Sequence, residues 1–580
     1  MRKSAICTLP RMPPGESDHA AGDRARPAPG WAVRCAQLLP VLALILFVRV
    51  WLVHHTAIIA NDGARWYTPM ARQWSLDPRA TIRGYILPVG YPAATAALHH
   101  IRAAWGTSDS LEDWDRSGQW VSVGASVAAM IALWLLTGMT FNWRVAWMTT
   151  LLFGVTRKWS ADSADVLSDA LAVCMELWAA ALAVVTMRWI QRKSWWSLLW
   201  AGGTGVLAAG GYLVRPEAVF VAALAALLWL AFQLACRRRW RLTLSCLAVM
   251  MLAAASCALP YMIEIRGFTK KKTISDFAVS HRLPSPQTLL AWTPAPTRYY
   301  YQYVPWRQLL NKLFEAMHPV LGFLACIWLA AWIAARIRRT PMPGQIQACP
   351  RRSGGFLMIV SLILIGSLTI AHYAKAGGLS HRYLLFPAAL LSALAAASVL
   401  VLAHACGFLA QRLGWARSRG WFLPAILAAI LAGLLLYTLR PHRQDKAHHV
   451  DAARFLRQRA AKGDFLLTDS LYVLRHAGIP GYHMPPTYPA LAVHFLTEIR
   501  RKAATLVAVQ EDKTRENRPE IAHVLRGPAF TTLGTFVSRA TPSKSQPIHV
   551  YRVNRAEAEA LLKVEWRKVH RERAKAKRRS

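Results

Sequence analysis

The feature that most constrains this chain is a series of eleven apolar stretches that we interpret as membrane-crossing helices, of which the third is short and the tenth long. A helix that crosses the hydrocarbon core of a bilayer needs about 20 mostly apolar residues. Hydrophobic residues make up 54% of the 580 and charged residues only 17%, whereas soluble domains carry roughly 25% charged residues. The sequence therefore predicts an α-helical polytopic membrane protein, and it excludes an ordinary cytosolic enzyme, a disordered chain and a disulfide-built scaffold. The predicted spans lie near 36–57, 118–139, 145–160, 168–188, 194–214, 216–236, 241–263, 313–335, 355–373, 383–410 and 421–439.

The charges between these stretches predict how the spans are oriented. With a cytoplasmic N-terminus, the inside loops hold 16 Lys and Arg and no Asp or Glu. The first outer loop, 58–117, holds six Arg and six acids, so its charge balances. This is the pattern of the positive-inside rule, although the outer loop 266–312 is net basic. We expect a multi-pass protein of the bacterial cytoplasmic membrane with its C-terminal part outside.

The composition along the chain predicts four regions. Residues 1–35 are rich in Pro and Gly and are expected to form a disordered cytoplasmic tail. Residues 36–440 form the transmembrane domain, 441–554 a small extracytoplasmic α/β domain, and 555–580 a basic helical tail. Because the topology places this tail outside, nucleic-acid binding is not expected, and a solvated tail or one attracted to anionic headgroups fits better. In the α/β domain we predict helices at 450–462 and 471–477 and strands at 464–469, 504–509, 531–537 and 548–553.

The nine Cys give no sign of a disulfide framework or a metal centre. None of them falls in the three large outer pieces of the chain, 58–117, 266–312 and 440–580. The sequence also lacks the CxxC and HExxH patterns and the glycine-rich nucleotide motifs.

Polar residues gather at the predicted outer ends of the spans, where charges near lipid usually mark function or an interface. Asp62 directly follows the first span and is either a base at the mouth of a cavity or a helix cap. Further along the same loop, the segment 84–92 contains two Pro, two Gly, Tyr85 and Tyr91. The two rings offer flat faces for a sugar or a polyprenyl chain, or they are interfacial rings on a rigid turn.

Three acids precede or open the fourth span. Asp162, Asp165 and Asp169 are spaced by three and four residues and so share one face of a helix. Acids this close to lipid need a partner or a wet cavity, although acids also stabilise the positive end of a helix dipole.

Cations occupy the later outer ends. Arg215 lies between spans five and six, and Lys375 and Arg382 precede span ten. A guanidinium suits phosphate, and it also serves as an interfacial anchor. Tyr300 belongs to an aromatic run in the loop 266–312 that either lines a cleft or lies among headgroups. Acids early in the chain and cations late, all on one side, suit a reaction with an anionic leaving group.

The order of these motifs resembles the GT-C membrane glycosyltransferases, which include protein O-mannosyltransferases and the aminoarabinose transferase acting on lipid A. Family members carry an acid after the first span, a Pro-rich stretch, an acid before the fourth span, an Arg-Pro-Glu-like turn and a late Arg-Tyr-Leu-like span start. The matching residues are Asp62, 87–92, Asp165 or Asp169, 215–217 and 382–387. The sequence departs from the family at Gly63, where many members have Glu, and at 86–87, where an Ile-Leu replaces His-Pro.

The resemblance implies a GT-C-like transmembrane catalytic domain and transfer of a sugar from a polyprenyl-phosphate donor to a hydroxyl on a protein, lipid or glycan, with inversion. Asp62 would accept the proton of the acceptor hydroxyl or orient that hydroxyl. Arg382, with Lys375 or Arg215, would neutralise the departing phosphate, and Asp165 or Asp169 would orient the acceptor, the sugar or a cation. Independently of the resemblance, the flat rings of Tyr85, Tyr91 and Tyr300 make these residues candidates for substrate contact. Some family members use a divalent cation, so metal dependence stays open.

Two other classes of protein stay open at this point. A multi-pass transporter would also place polar groups in a helical membrane domain, but it tends to show internal repeats and broken helices near the midplane, and no repeat is present here. A non-catalytic envelope-assembly factor would use the exterior domain to bind a partner. Release of polyprenyl phosphate that depends on substrate would separate the transferase from both.

Overall fold

A helical membrane domain and a smaller mixed α/β domain make up the chain, as the sequence predicts. The computed structural model describes residues 30–236, 240–270, 305–338, 360–361, 380–413, 421–484, 491–510, 518–538 and 546–579. The predicted span at 355–373 lies outside these residues except for 360 and 361, and most of the predicted N-terminal tail lies outside them as well.

Seven helices in the described part of the chain are long and apolar enough to cross a membrane. An eighth is counted if Arg307–Met317 and Pro319–Ala335, which meet at 109°, form one bent span. The described spans therefore fall short of the predicted eleven, while a multi-pass membrane protein is confirmed. The seven helices are Trp31–His55, Leu111–Thr140, Asp169–Gln191, Trp196–Val214, Pro216–Leu234, Trp240–Ile265 and His381–Arg412. Shorter helices of the membrane domain are Thr68–Leu76, Pro78–Gly84, Gly90–Ala103, Trp143–Gly154, Arg157–Ser163, Pro305–Met317 and Phe422–Thr438.

The stretch predicted as a third span at 145–160 is two short helices. Trp143–Gly154 has 12 residues, and at 1.5 Å per residue it is too short for a hydrocarbon core of about 30 Å. Its end is capped from the first span, because the fully buried Arg49 side chain donates to the Gly154 carbonyl and, at 3.1 Å, to Ser160 Oγ. A guanidinium suits the negative end of a helix dipole, and backbone groups buried in a membrane need internal partners. The second short helix, Arg157–Ser163, is thereby held inside the membrane domain.

The C-terminal domain is built on five strands: β1 (Leu466–Thr468), β2 (Gly481–His483), β3 (Leu506–Gln510), β4 (Phe530–Phe536) and β5 (Ile548–Val553). They form one sheet in the order β2-β1-β3-β5-β4. Strand β1 pairs in parallel with β2 and β3, and β5 pairs antiparallel with β3 and β4. The predicted strands are confirmed, while β2 and two of the helices were not predicted. The helices of the domain are Ala447–Arg459, Leu471–Ala477, Ala492–Lys502, Pro519–Val524 and Arg555–Arg579.

One short helix of this domain, Leu471–Ala477, packs against the membrane domain. Ser470 Oγ caps it by accepting from the Val473 amide at 3.3 Å, and Gly478, in a left-handed conformation with φ +66°, follows its end. The buried Tyr472 joins an apolar cluster with Ile58, Val166 and neighbouring residues of the membrane domain. The two domains therefore meet beside the residues that follow the first span.

Candidate active site

Asp62 stands at the start of a π-helical turn, Gly63–Tyr67, a rare geometry that often occurs at functional sites. This turn packs directly on Val166, since a Cβ at position 63 would lie 2.7 Å from Val166 Cβ. The absence of a second acid after Asp62 therefore has a steric reason. The segment before the turn is fixed as well, because Asp165 Oδ1 accepts from the Ala60 amide at 2.7 Å.

Arg382 joins Asp62 to Asp169. Its Nη1 lies 2.7 Å from Asp62 Oδ2, while its Nε and Nη2 lie 2.7 and 2.6 Å from Asp169 Oδ2. The arginine sits in a 3₁₀ turn, His381–Leu384, whose Ser380 cap accepts from the Arg382 amide at 3.3 Å. The Asp169 side chain is fully buried and that of Asp62 is 43% exposed. The network thus has a buried anchor on one side and an accessible carboxylate on the other.

Arg215 completes the buried side of this network. It pairs with Asp169 and lies 3.8 Å from Glu217, and its guanidinium stacks on the Tyr383 ring at 5.0 Å. Pro216 ends the preceding helix here, since a residue before proline is driven into an extended conformation. Four residues predicted at the site, distant in sequence, are therefore in one cluster: Asp62, Asp169, Arg215 and Arg382.

Asp165 belongs to an adjacent network. Its Oδ1 accepts from the Ala60 and Val166 amides, each at 2.7 Å, and its Oδ2 pairs with Arg443. The Asp165 side chain is 2% exposed. Its contacts fix the segment before Asp62 and bind an arginine that follows the last membrane helix.

A cavity of about 1290 Å³ lies over these networks. Asp62, Arg382 and Arg443 line it together with the outer ends of several helices. A second network of polar side chains lies in one wall of the cavity, where His381 is 2.9 Å from Asp162 and 3.4 Å from Glu315. Six cations and four acids line the cavity, so it carries a positive excess suited to an anionic ligand. The charged lining residues are Asp62, Arg157, Lys158, Asp162, Glu315, Arg382, Arg440, Arg443, Asp445 and Lys446.

Two groups of the cavity wall titrate far from their ordinary range. Burial, with the Arg443 guanidinium as a second cause, lowers the pKa of His442 to about 4. Burial also raises the pKa of Tyr472 to about 12. At neutral pH the imidazole therefore carries no charge, and the phenol keeps its proton as a hydrogen-bond donor.

Two of the three aromatic residues predicted to contact substrate, Tyr85 and Tyr91, do not line this cavity. Tyr91 is fully buried, and its hydroxyl donates to the Gly118 carbonyl at 2.8 Å. Tyr85 packs on an apolar cluster around Tyr212 and Tyr261. Tyr300 lies outside the described residues, as does Lys375, which was predicted to bind phosphate.

Several wall residues were not predicted from the sequence. Arg440, His442, Arg443 and Tyr472 come from the segment after the last membrane helix and from the C-terminal domain. The signal in the sequence is the Arg-Pro-His-Arg run at 440–443, directly after span eleven, where the predicted boundary between the two domains falls.

The described residues do not form a metal site. No group of three or more His, Cys, Asp or Glu side chains in the described ranges is placed to hold an ion. Asp62 and Asp169 are instead bridged by the Arg382 guanidinium.

Comparisons with known proteins agree with this architecture. The family model for dolichyl-phosphate-mannose-protein mannosyltransferases matches residues 111–263. No curated protein sequence matches the chain significantly.

Solved structures share the fold at low sequence identity. ArnT from Cupriavidus metallidurans, bound to undecaprenyl phosphate, has a TM-score of 0.52 at 13% identity, covering 89% of this chain and 98% of its own. The oligosaccharyltransferase AglB from Archaeoglobus fulgidus, in complex with an inhibitory peptide and a dolichol-phosphate, has a TM-score of 0.51 at 12% identity, covering 91% and 77%. Both are GT-C glycosyltransferases. The chain therefore has the fold of the GT-C membrane glycosyltransferases, which confirms the resemblance seen in its sequence.

Proposed function

We propose that this protein transfers a sugar from a polyprenyl-phosphate donor to a hydroxyl acceptor, at the outer face of the bacterial cytoplasmic membrane. The observation that carries the proposal is the Asp62–Arg382 pair, which places a carboxylate and a guanidinium 2.7 Å apart in the wall of one large cavity. Displacement of a phosphate by a hydroxyl needs both a proton acceptor and a cation. The bound polyprenyl phosphates of the fold relatives support the class of donor.

The reaction is a single displacement at the anomeric carbon. The acceptor oxygen forms a bond to that carbon while the bond between the carbon and the phosphate oxygen breaks, with inversion. The acceptor hydroxyl gives its proton to Asp62, and the electron pair of the broken bond leaves on polyprenyl phosphate. A positioned base contributes roughly 10²–10⁴-fold to such a step.

Arg382 stabilises the negative charge that develops on the departing phosphate. Its guanidinium is held from behind by Asp169, which Arg215 also contacts. A donor fixed before the reaction costs no reorganisation when the charge appears. Asp165 acts indirectly, because it fixes the Ala60 backbone two residues before Asp62.

The test is a transfer assay with the purified, membrane-reconstituted full chain and a panel of radiolabelled polyprenyl-phosphate sugars. The acceptor source is the membrane and envelope fraction of cells that lack the gene. We expect Arg382→Ala to lower the transfer rate roughly 10²–10³-fold, as removal of one charge-stabilising donor does elsewhere. Arg382→Lys should recover only part of the rate, because lysine lacks the planar fork.

Arg83→Ala is the matched control, since Arg83 also pairs with a carboxylate, Glu264 at 2.6 Å, but is 69% exposed and does not line the cavity. Its activity should equal that of the wild type. No transfer by the folded wild-type chain from any donor, or full activity in Arg382→Ala, would refute the proposal. Polyprenyl phosphate released only when acceptor is present separates a transferase from a transporter or an assembly factor.

A further inference from the structure

The hydroxyl of Tyr472 is a buried polar group. The residue is 6% exposed, and its hydroxyl has no hydrogen-bond partner among the described residues. Leaving such a group unsatisfied costs roughly 1–3 kcal/mol, so each instance in a folded protein calls for an explanation. Tyr472 lines the same cavity as Asp62 and Arg382, so a ligand in this cavity can supply the missing partner.

The position of Tyr472 is fixed relative to Asp62. Three residues further along the same short helix, Arg475 donates to the Ala64 carbonyl at 2.7 Å and pairs with Asp115. Ala64 lies in the π-helical turn that begins just after Asp62. The Arg475–Asp115 pair is nearly buried, with side chains 6% and 9% exposed. The C-terminal domain therefore holds its tyrosine against the turn that follows the proposed base.

The surroundings of the phenol indicate which substrate it would bind. The charges that act on the phenol are those of Arg443, Asp165, Asp62 and Asp445, and Lys446 Nζ lies 5.8 Å from its ring. The proposed phosphate site already has a cation, Arg382, which lies at the start of another membrane helix. A neutral phenol that keeps its proton suits an uncharged oxygen on the Asp62 side.

We propose that the Tyr472 hydroxyl donates a hydrogen bond to an oxygen of the acceptor, next to the hydroxyl that reacts, and that the C-terminal domain thereby forms part of the acceptor site. This inference rests on the proposed function and names a substrate contact that lies outside the membrane domain.

Tyr472→Phe removes only the hydroxyl. We expect the KM for acceptor to rise about 3- to 10-fold, as loss of one neutral hydrogen bond predicts, with the KM for the polyprenyl-phosphate sugar unchanged. Hydrolysis of the donor by water, measured as free sugar without acceptor, should also stay at the wild-type rate. The melting temperature should not fall, since the lost hydroxyl had no protein partner.

Tyr482→Phe is the control, because Tyr482 lies on strand β2 of the same domain and does not line the cavity. If Tyr472→Phe matches the wild type in acceptor KM, or if transfer and hydrolysis fall together, the inference is wrong while the proposed function stands. If the wild-type chain neither transfers nor hydrolyses any donor, the proposed function fails and the inference fails with it.

Discussion

The Asp62 carboxylate and the Arg382 guanidinium bond to each other, so a substrate phosphate that binds Arg382 competes with Asp62 for the same nitrogen. Binding of the donor would then release the base for the acceptor hydroxyl. We expect Asp62→Asn to lower the single-turnover rate roughly 10²–10⁴-fold. Its affinity for undecaprenyl phosphate, measured by native mass spectrometry, should be no weaker than that of the wild type.

The control for this prediction is Asp109→Asn, because Asp109 also pairs with an arginine but is 72% exposed. It should change neither quantity. Weaker binding of undecaprenyl phosphate to Asp62→Asn would contradict competition between the carboxylate and the phosphate.

Gly63 is the second residue whose identity the site requires. A Cβ at this position would lie 2.7 Å from Val166 Cβ and 2.8 Å from the Val166 carbonyl oxygen. We expect Gly63→Ala to lower the free energy of unfolding by about 1–3 kcal/mol, as overpacking does. Gly124→Ala should instead be neutral or stabilising, since no atom lies within 4 Å of its Cβ position. Equal melting temperatures of the two variants would contradict this reading.

At the scale of elements, the hydropathy pattern predicted most of the membrane helices because a span needs an unbroken apolar run. It did not predict the break after Gly154, since Gly154, Val155 and Thr156 are themselves apolar or small and the cap comes from Arg49, 105 residues away. Four of the five strands of the C-terminal domain were predicted, whereas Gly481–His483 has only three residues and no apolar run that would indicate a strand.

Only part of the candidate site could be predicted from the sequence, and that part followed from motifs rather than from hydropathy. Asp62 and Arg382 are 320 residues apart, so their pairing could not follow from local spacing; the sequence predicted that both belong to the site but not that they bond to each other. No such resemblance covers the C-terminal domain, and the pairing of Asp165 with Arg443 was missed. Tyr91 was assigned to substrate on ring type alone, which does not distinguish a cavity wall from a packed core.

The Arg475–Asp115 ion pair adds to the apolar contacts of Tyr472 in docking the helix Leu471–Ala477 against the membrane domain. Arg475→Met leaves the nearly buried Asp115 without its cation, and breaking a buried pair costs roughly 3–5 kcal/mol. We expect a lower melting temperature and faster hydrogen exchange in residues 60–67. Adding Asp115→Asn to this variant should restore part of the loss.

Arg454→Met is the control for the docking prediction, since Arg454 is 71% exposed and its contact with Asp451 is 3.7 Å long. Surface pairs of this kind contribute about 0–1 kcal/mol. Exchange in 60–67 that is the same in both variants would show that the helix docks without its arginine.

At the scale of the whole molecule, the charge of the C-terminal part has a partial explanation. Residues 440–580 hold 28 Lys and Arg against 13 Asp and Glu. Two of these cations, Arg443 and Arg475, neutralise buried carboxylates of the membrane domain. The excess therefore serves the junction between the domains as well as the positive cavity.

The same junction should make the protein sensitive to acid. Burial is the first cause that lowers the pKa of three histidines at or beyond the last membrane helix, His442, His448 and His476. The pKa of His442, near Arg443 and Asp165, falls to about 4. Between that value and the unfolded value near 6.5, the unfolded chain binds more protons than the native one, so stability is complete above pH 6.5 and declines towards pH 4. For His442 alone the loss reaches about 3 kcal/mol.

We expect the melting temperature to fall between pH 7 and 4.5, and to fall less in His442→Gln than in the wild type. The exposed His100 gives the control His100→Gln, which should follow the wild-type curve, and an identical pH dependence in His442→Gln would contradict this assignment.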